Sequence, residues 1–248
     1  MADAVVVITG ASAGIGAALA ERLAGQGHAV GLVARRREAL EAVAARCGGL
    51  AHVLVADVTR REEVRRAVDG AIARFGHIDV WVNNAGQGIS RPPSLLTDED
   101  VEDMMRVNVL SALYGMQEVL PHFRARGRGH VINVSSLLGR IPFAVIRSAY
   151  CGAKHFVNAL TAMFREEVRA THPDIQFSLV SPGVVRTDFG LNARHGGPDS
   201  RSLPNTQSPE EVAAVIAKVI ETRQPDVYTQ PGAQARIAGY YATLGVDP

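Results

Sequence analysis

Short runs of β-branched and other apolar residues alternate along the chain with longer segments in which apolar residues recur every three or four positions. The succession is VVVIT, AALAERLAGQ, AVGLVA, REALEAVAARC, AHVLVA, EEVRRAVDGAIARF and IDVWVNN. Short continuous apolar runs are typical of buried strands, and a three-to-four-residue period is typical of helices. The sequence therefore predicts repeated βα units, which assemble into a parallel sheet.

The second half of the chain continues this pattern. It predicts a long helix from about Asp98 to Phe123, helices from Tyr150 to about Ala170 and from about Pro209 to Glu221, and the strands HVINVS, IQFSLVS and DVYT. The whole pattern predicts an α/β, doubly wound fold in which a seven-stranded parallel sheet is flanked by helices on both faces. Because no linker or shift in composition divides the chain, we expect residues 1–248 to form one domain.

One interval has a different character. Between Thr187 and Ser208 the chain is rich in glycine, proline and asparagine and shows little periodicity. Irregular loops of this length in compact domains are usually lids or binding loops, or are disordered. We expect residues 187–208 to form a lid over a substrate.

Charge and cysteine content narrow the class of protein. Lysine and arginine number 26 against 25 aspartate and glutamate residues, a net charge of +1, which gives no reason to expect nucleic acid as a partner. Cys47 and Cys151 form no cluster with metal-ligand spacing, so we expect no metal and two reduced thiols. The first residues have no basic leader pattern, and no apolar stretch reaches about eighteen residues. These features predict a cytoplasmic protein without a membrane span.

The segment TGASAGIG, from Thr9 to Gly16, joins the first predicted strand to the first predicted helix. Gly10 permits a tight turn, Gly14 allows a ligand to approach the backbone, and Gly16 allows the helix to pack close to the strand. The helix N-terminus offers unpaired N–H groups and a positive dipole end to a diphosphate. Glycines can also serve a tight turn alone, but their position between strand and helix favours a dinucleotide site.

The second predicted strand ends at VARRR, where sites selective for NAD often carry an acidic residue for the ribose 2′-hydroxyl. No acid stands there, and arginine can pair with a 2′-phosphate through two hydrogen bonds. Arg35, helped by Arg36 and by the hydroxyl of Ser12, therefore favours NADP(H) over NAD(H). The alternative is that three arginines at the start of a helix form a solvated face.

The stretch SAYCGAKHF places Tyr150 and Lys154 four residues apart at the start of a predicted helix. Residues with this spacing share one helix face, so the ammonium can favour the phenolate and lower a phenol pKa that is ordinarily about 10. Such a pair predicts a tuned proton donor or acceptor. On an arbitrary helix the same pair is more often a coincidence.

Six motifs in one order resemble those of the classical short-chain dehydrogenase/reductase family, which has a single-domain Rossmann-type fold. They are TGASAGIG, NNAG from Asn83 to Gly86, Asn108 within VNVLSALYG, NVSS, YCGAK and SPGVVRT. The resemblance extends from Val5 to about Tyr228 and argues against a chance meeting of the tyrosine and the lysine. It implies an NAD(P)-dependent enzyme that transfers hydride between nicotinamide and a carbonyl or secondary alcohol.

The resemblance also implies roles for individual residues. Tyr150 is the general acid in carbonyl reduction and the base in alcohol oxidation, and Lys154 binds the nicotinamide ribose and lowers the Tyr150 pKa. Ser136 binds the substrate oxygen, and Asn108 holds a water that links Lys154 to solvent. The implied cofactor contacts are Gly10, Ser12, Gly14, Ile15, Gly16, Arg35, Arg36, Asp57, Val58, Asn84, Ala85, Gly86, Tyr150, Lys154, Pro182, Gly183, Val185 and Thr187.

The chain departs from the family pattern in two places. Fourteen positions separate Ser136 from Tyr150, one more than the spacing that we associate with the family, which leaves Ser135 as an alternative. Consecutive residues of a strand point to opposite faces, so only one serine can reach the cleft, and we assign Ser136. Ala13 stands where some NADP-dependent relatives carry a basic residue, which leaves phosphate recognition to Arg35 and its neighbours.

Apolar residues predominate among those expected to surround the reacting carbon, which favours a hydrophobic ketone or secondary alcohol as the substrate. They are Leu137, Leu138, Ile141, Phe143, Ile146, Val184 and Phe189, with Gln87 and His195 as candidate polar contacts. The helix after Tyr150 carries apolar residues on most of its circumference, which predicts burial against the sheet and against a partner subunit. We therefore expect a homodimer or homotetramer.

Other interpretations remain open. A catalytically silent NADP(H)-sensing or scaffold protein could use the same fold, although it would not need Asn108, Ser136, Tyr150 and Lys154 together. Sugar-nucleotide epimerases of this type carry an extra substrate domain, for which 248 residues leave no room. The C-terminal GAQARIAGYYATLGVDP matches no motif and can be a closing helix, a subunit contact or a membrane-facing flap.

Overall fold

The computed structural model of the protein describes residues 3–245. Its centre is a seven-stranded parallel sheet with the strand order β3-β2-β1-β4-β5-β6-β7. The strands are β1 (Val5–Thr9), β2 (Ala29–Ala34), β3 (Ala51–Val55), β4 (Val80–Asn83), β5 (Gly129–Val134), β6 (Ile175–Ser181) and β7 (Asp226–Tyr228). The predicted α/β, doubly wound fold is confirmed.

Helices connect the strands and cover both faces of the sheet. They are α1 (Gly14–Gly25), α2 (Arg37–Arg46), α3 (Arg61–Phe75), α4 (Asp98–Met104), α5 (Ser111–Arg126), α6 (Ser148–Arg169), α7 (Pro209–Thr222) and α8 (Ala233–Tyr241). The long helix predicted from Asp98 to Phe123 consists of α4 and α5, joined by a π-helical turn over Met105–Leu110. The sequence pattern misses the turn because the apolar residues continue through it.

Alternate residues of the central strand β1 face opposite layers of helices. Val6 and Ile8 belong to a buried cluster that includes Leu19 of α1, whereas Val7 belongs to a second cluster that includes Val119 of α5. Every residue of β1 is buried. Because side chains alternate along a strand, a strand that is apolar throughout requires helices on both faces of its sheet.

The strand order reverses beside β1, which pairs with β2 on one side and with β4 on the other. At such a point the connections leave the sheet in opposite directions, and a crevice opens at the carboxyl ends of the strands. The glycine segment follows β1, NNAG overlaps the end of β4, and the two serines follow β5. The fold therefore brings segments that are distant in sequence to one edge of the sheet.

The remaining segments lie around this edge. Residues 187–208 are largely irregular, with one short 3-10 turn over Ser200–Ser202. The C-terminal segment forms a closing helix, α8, whose Ala233 and Ile237 pack with Leu137 and Ile141 after β5. Within residues 3–245, no helix has the length and apolar character needed to cross a membrane.

Candidate active site

The glycine segment turns sharply between β1 and α1. Gly10 (φ +66°) and Gly14 (φ +55°) occupy the left-handed region of backbone conformation, which side chains disfavour. A Cβ on Gly16 would lie 2.4 Å from the carbonyl oxygen of Gly10, so only glycine fits there. The side chain of Ala13, just before α1, caps none of the helix N–H groups. The loop thus offers bare backbone donors at a positive helix end, which fits the diphosphate of a dinucleotide.

Residues after β4 brace this loop. The Asn84 side-chain amide donates to the carbonyl oxygens of Thr9 (3.0 Å) and Gly10 (3.3 Å). The backbone N–H groups of Asn84 and Ala85 donate to Thr9 Oγ1 at 3.0 and 3.1 Å. The Asn84 side chain therefore holds the shape of the glycine loop, and its predicted contact with a cofactor stays a prediction.

Gly86 separates two of the predicted catalytic residues. A Cβ at this position would lie 2.9 Å from Asn108 Oδ1 and 3.6 Å from Lys154 Nζ. Asn108 is buried in the π-helical turn, where its Nδ2 donates to the carbonyl oxygens of Gln87 (2.9 Å) and Met104 (3.2 Å). Its Oδ1 accepts from the Gln87 N–H at 3.2 Å. One lone pair of Oδ1 is left for a water or another donor.

The two serines after β5 face different neighbours. Ser136 Oγ accepts a hydrogen bond from the Leu138 N–H at 3.1 Å, and Ser136 also interacts with the Tyr150 hydroxyl, whose pKa it lowers. Ser135 Oγ donates instead to Asn158 Oδ1 on α6. Ser136 is therefore the serine that lies beside Tyr150, despite the longer spacing between them.

Tyr150 and Lys154 lie on the first two turns of α6 and are 6% and 4% exposed. Lys154 Nζ donates to the Val134 carbonyl oxygen at 3.0 Å and lies 5.6 Å from the centroid of the Tyr150 ring. The ring of Phe189, from the predicted lid, packs edge-on against the Tyr150 ring with 5.5 Å between centroids. The fold therefore gathers a phenol, a hydroxyl and an ammonium in one buried place.

Burial determines the protonation of these two groups. It raises the pKa of the Tyr150 hydroxyl well above its ordinary value, and the opposing effects of Ser136 and Arg147 are smaller. Burial also lowers the pKa of Lys154 to about 8. The expectation of a Tyr150 pKa below its ordinary value is wrong for this structure, because loss of water costs the phenolate more than its neighbours return, and the predicted contribution of Lys154 stays a prediction. The phenol is therefore protonated at neutral pH, the state that can donate a proton.

The arginines after β2 lie close to the glycine loop. The Ala11 N–H donates to the Val33 carbonyl oxygen at 3.2 Å, which ties the loop to the end of β2. Arg36 Nη2 donates to Ser12 Oγ at 3.4 Å. Arg35 is exposed, and its side chain forms no hydrogen bond or ion pair within the part of the chain that the structure describes.

Three other predicted cofactor contacts lie beside the loop or after β3. Asp57 Oδ1 accepts from the N–H (3.0 Å) and the hydroxyl (2.8 Å) of Thr59, which orders the turn that leads into α3. Val58 packs against the core layer that contains α3 and α5, and Ile15 packs against the opposite layer. Both side chains are half-buried against the core, and their predicted contacts with a cofactor stay predictions.

The segment after β6 leads from the sheet to the glycine loop. Pro182 and Val185 are buried, and Val185 belongs to the core. A Cβ on Gly183 would lie 2.3 Å from the end of the Gln230 side chain, which would have to move to admit it. The methyl group of Thr187 lies 3.1 Å from the position of a Cβ on Gly14, which places the start of the predicted lid directly over the glycine loop.

Only some of the apolar residues that were expected to surround the reacting carbon lie next to Tyr150. The buried and half-buried apolar residues clustered with Tyr150 are Ile89, Leu96, Met104, Leu138 and Ala149. Leu137 and Ile141 are buried against α8 instead, and their predicted place at the reacting carbon stays a prediction. Phe143 is largely exposed beneath the guanidinium of Arg236, 5.0 Å from its ring centroid. The sequence could not predict that Leu137, Ile141 and Phe143 contact α8, because α8 matches no motif.

A buried carboxylate that the sequence analysis missed ties the predicted lid to α4. Asp100 is fully buried and accepts hydrogen bonds from Arg91 Nη1 (2.7 Å), Arg194 Nε (2.6 Å) and His195 Nε2 (2.7 Å). These donors, Arg91 first, hold the pKa of Asp100 well below its usual range. His195 therefore points to Asp100 rather than to a substrate. The only signal in the sequence was the capping box that Asp100 forms with Thr97.

Known proteins share both the sequence and the fold. Residues 4–196 match the model of the family described as short chain dehydrogenase. The chain is 37% identical over 191 residues to an uncharacterized oxidoreductase of Staphylococcus saprophyticus, and this match covers 75% of the chain and 76% of that protein.

Two solved structures are also similar. A short chain dehydrogenase/reductase from Burkholderia phymatum in complex with NAD superposes with a TM-score of 0.89 at 23% identity, covering 100% of this chain and 98% of that one. An alcohol dehydrogenase from the archaeon Thermococcus sibiricus, complexed with 5-hydroxy-NADP, has a TM-score of 0.79 at 29% identity, with coverages of 91% and 95%. The chain therefore belongs to the short chain dehydrogenase family of NAD(P)-dependent oxidoreductases.

Proposed function

We propose that this protein is an NADP(H)-dependent oxidoreductase that transfers hydride between nicotinamide and a carbonyl or secondary alcohol of a hydrophobic small molecule. The observation that carries the proposal is the buried Tyr150 phenol, beside Ser136 and one helical turn before Lys154, at the sheet edge that also holds the glycine loop. Burying a phenol and an ammonium costs free energy. A protein that only senses a cofactor would gain nothing from that cost.

The protein's own residues manage the proton and the substrate oxygen, and a bound nicotinamide supplies or accepts the hydride. Tyr150 is protonated at neutral pH because burial raises its pKa, so it donates a proton to the carbonyl oxygen as negative charge develops there. Ser136 holds the same oxygen. Lys154, with a pKa of about 8, is mostly charged at pH 7 and stabilises the phenolate that proton transfer leaves.

The preference for NADP(H) rests on the end of β2. Arg35 is exposed beside the glycine loop, Arg36 reaches Ser12 Oγ at 3.4 Å, and the chain carries no acid there to receive a ribose 2′-hydroxyl. A guanidinium at this place suits a 2′-phosphate. The two solved structures carry an NAD and an NADP derivative, so the choice is argued from this chain's residues alone.

The preference for an apolar substrate rests on the cluster around Tyr150 and on the segment that covers it. Phe189 packs on the Tyr150 ring, and the residue is 36% exposed. Residues 187–208 act as a lid, held at one end by Thr187 over Gly14 and in the middle by the hydrogen bonds to Asp100. A lid that excludes water strengthens the electrostatic effects of Tyr150 and its neighbours.

The proposed oligomeric state and the proposed cellular compartment of the protein rest on two further features. On α6, Phe156 and Met163 are 49% and 61% exposed while the other face of the helix packs against the sheet, which supports a homodimer or homotetramer. Cys47 and Cys151 are both buried and free, which supports a reducing compartment and therefore the cytoplasm.

The test is consumption of NADPH and NADH with a panel of ketones, diketones, quinones and aldehydes. Tyr150→Phe keeps the ring and removes the proton, so we expect turnover to fall roughly 10²–10⁴-fold with little change in cofactor affinity. Tyr114→Phe, on α5 beneath Arg61, is the matched control and should keep wild-type turnover. A Tyr150→Phe variant that retains more than about a tenth of wild-type turnover would refute the role of the phenol. Tight NADPH binding without turnover on the whole panel would favour the sensing function.

A further inference from the structure

An asparagine on α6 joins that helix to residues 135–139, the segment that carries Ser136. Asn158 lies two helical turns after Tyr150, on the same side of α6. Its Oδ1 accepts a hydrogen bond from the Ser135 hydroxyl, and its Nδ2 donates to the Gly139 carbonyl oxygen at 2.6 Å. Both ends of the side-chain amide are therefore used, and they bind the segment on either side of Ser136.

Ser136 is hydrogen-bonded to the short turn that ends at Gly139. Its Oγ accepts from the Leu138 N–H at 3.1 Å, and its carbonyl oxygen accepts from the Gly139 N–H at 2.9 Å. A Cβ on Gly139 would lie 3.0 Å from the carbonyl carbon of Lys154, so the turn packs closely against the backbone of α6. A shift of Gly139 relative to α6 would therefore move Ser136 as well.

The covalent path from Ser136 to Tyr150 does not fix the distance between their hydroxyl groups. Residues 140–147 on that path form only one short 3-10 turn, and Phe143 and Val145 are 55% and 67% exposed. Backbone hydrogen bonds of 2.7 and 2.8 Å hold the segment to the end of β6 and to the residue after it, not to α6. Asn158 therefore supplies hydrogen bonds from the segment to the helix that carries Tyr150.

We propose that Asn158 is a positioning residue, which holds the Ser136 hydroxyl where proton transfer from Tyr150 requires it. This rests on the proposed oxidoreductase function, because it concerns the geometry of the same site. Misplacement of a catalytic group by about 1 Å can cost about 10²-fold in rate. Lys154 also joins α6 to the Val134 carbonyl oxygen, so loss of the Asn158 side chain loosens the segment without detaching it. We therefore expect a loss of about tenfold in kcat.

The first experiment compares two variants that each remove a hydrogen bond between α6 and the chain at β5. Asn158→Ala should lower kcat about tenfold and change KM for NADPH by less than about twofold, on any ketone that the panel identifies. Thr161→Val is the matched control: it removes a buried hydrogen bond to Asn133 of β5 and should keep kcat within about twofold. Ser135→Ala removes one of the two contacts of Asn158 and should lower kcat about threefold.

A double-mutant cycle shows whether Asn158 acts through Ser136. In a Ser136→Ala background, Asn158→Ala should cost less than about twofold in kcat, because the hydroxyl that it positions is gone. A residue that only stabilised the fold would cost the same factor in both backgrounds. A loss of about tenfold that persists without the Ser136 hydroxyl, or a loss no larger than that of Thr161→Val, would overturn the proposal. Should Asn158→Ala fail to fold, which thermal melting would show, Ser135→Ala carries the same cycle.

A spectroscopic experiment separates this proposal from the proposed function, because it needs no turnover. The chain has five tyrosines, so tyrosine labelled with ¹³C at Cζ gives a simple NMR spectrum in which Tyr150→Phe identifies the Tyr150 signal. The chemical shift of Cζ responds to hydrogen bonding of the hydroxyl. Asn158→Ala should move the Tyr150 signal in the same direction as Ser136→Ala does, and Thr161→Val should leave it in place.

The two experiments together distinguish the possible failures. A moved Tyr150 signal with a loss of kcat that depends on Ser136 supports both proposals. A moved signal without turnover of any carbonyl compound keeps the positioning of Ser136 by Asn158 and overturns the oxidoreductase. A Tyr150 signal that Asn158→Ala leaves in place overturns the positioning role, and turnover that depends on Tyr150 then still supports the oxidoreductase.

Discussion

Replacing Lys154 with methionine should stabilise the protein and abolish its activity. Lys154 is 4% exposed, and burial lowers its pKa from 10.5 to about 8. At about 1.4 kcal/mol per pKa unit, burial of the charge costs about 3 kcal/mol of unfolding free energy at pH 7. Methionine occupies a similar volume without charge, and loss of the hydrogen bond to the Val134 carbonyl oxygen offsets about 1 kcal/mol. We expect Lys154→Met to be more stable than wild type by about 2 kcal/mol at pH 7.

The pH dependence of this difference identifies its cause. The pKa of Lys154 is lower in the folded state than in the unfolded state, so below pH 8 both states bind the proton and the full cost is present. Between about pH 8 and 10.5 the unfolded state binds more protons, and wild-type stability rises relative to the variant. The advantage of Lys154→Met should therefore shrink to near zero by about pH 10.

The assay is urea denaturation of both proteins from pH 7 to pH 10. Lys218 is the only other lysine in the chain; it lies on α7, exposed and paired with Glu221. Lys218→Met is therefore a matched control and should change stability by less than about 0.5 kcal/mol at any of these pH values. With only two lysines, isotopic lysine labelling also gives a direct titration of Lys154. A Lys154→Met variant less stable than wild type at pH 7, or a difference independent of pH, would refute the reasoning.

Three further predictions concern the oxygen-binding hydroxyl, the cofactor and the lid. Ser136→Ala should reduce turnover roughly 10²-fold because it removes a donor to the reacting oxygen, whereas Ser135→Ala should reduce it much less; equal losses would contradict the assignment. Arg35→Ala should weaken NADPH binding about tenfold and leave NADH binding almost unchanged, as measured by fluorescence titration, and equal weakening would make Arg35 a solvated surface residue. Asp100→Asn should increase tryptic cleavage within residues 187–208 about tenfold by releasing the lid, whereas the exposed Asp98→Asn should not; resistance of Asp100→Asn would show that the lid is held elsewhere.

Much of the fold follows from the sequence because parallel βα units leave a strong local signal. Strands buried on both faces read as continuous apolar runs, as VVVIT and AVGLVA do, and the amphipathic helices between them carry a clear period. The π-helical turn over Met105–Leu110 leaves no such signal, because it changes the hydrogen-bond spacing without changing which residues are apolar. Helix α8 is equally hard to predict, since its place against Leu137 and Ile141 depends on distant contacts.

The sequence by itself also determined which residues gather at the site. The spacing of Tyr150 and Lys154, the glycines after the first strand and the serine pair after the fifth are local patterns, and the chain order of βα units brings them to one edge. The pKa values of these groups, in contrast, depend on the tertiary structure around them. Loss of water around Tyr150 and Lys154 raises one pKa and lowers the other, against the expectation from their spacing, because desolvation depends on every neighbour that excludes solvent.

The same reason explains the residues that the sequence left unmarked. Asp100 meets Arg194 and His195 only through long-range folding. Patterns in sequence report on neighbours within one helix or one strand. Burial and the convergence of distant loops are properties of the packed molecule, and for this protein they determine the protonation of Tyr150 and Lys154 and the anchoring of residues 187–208.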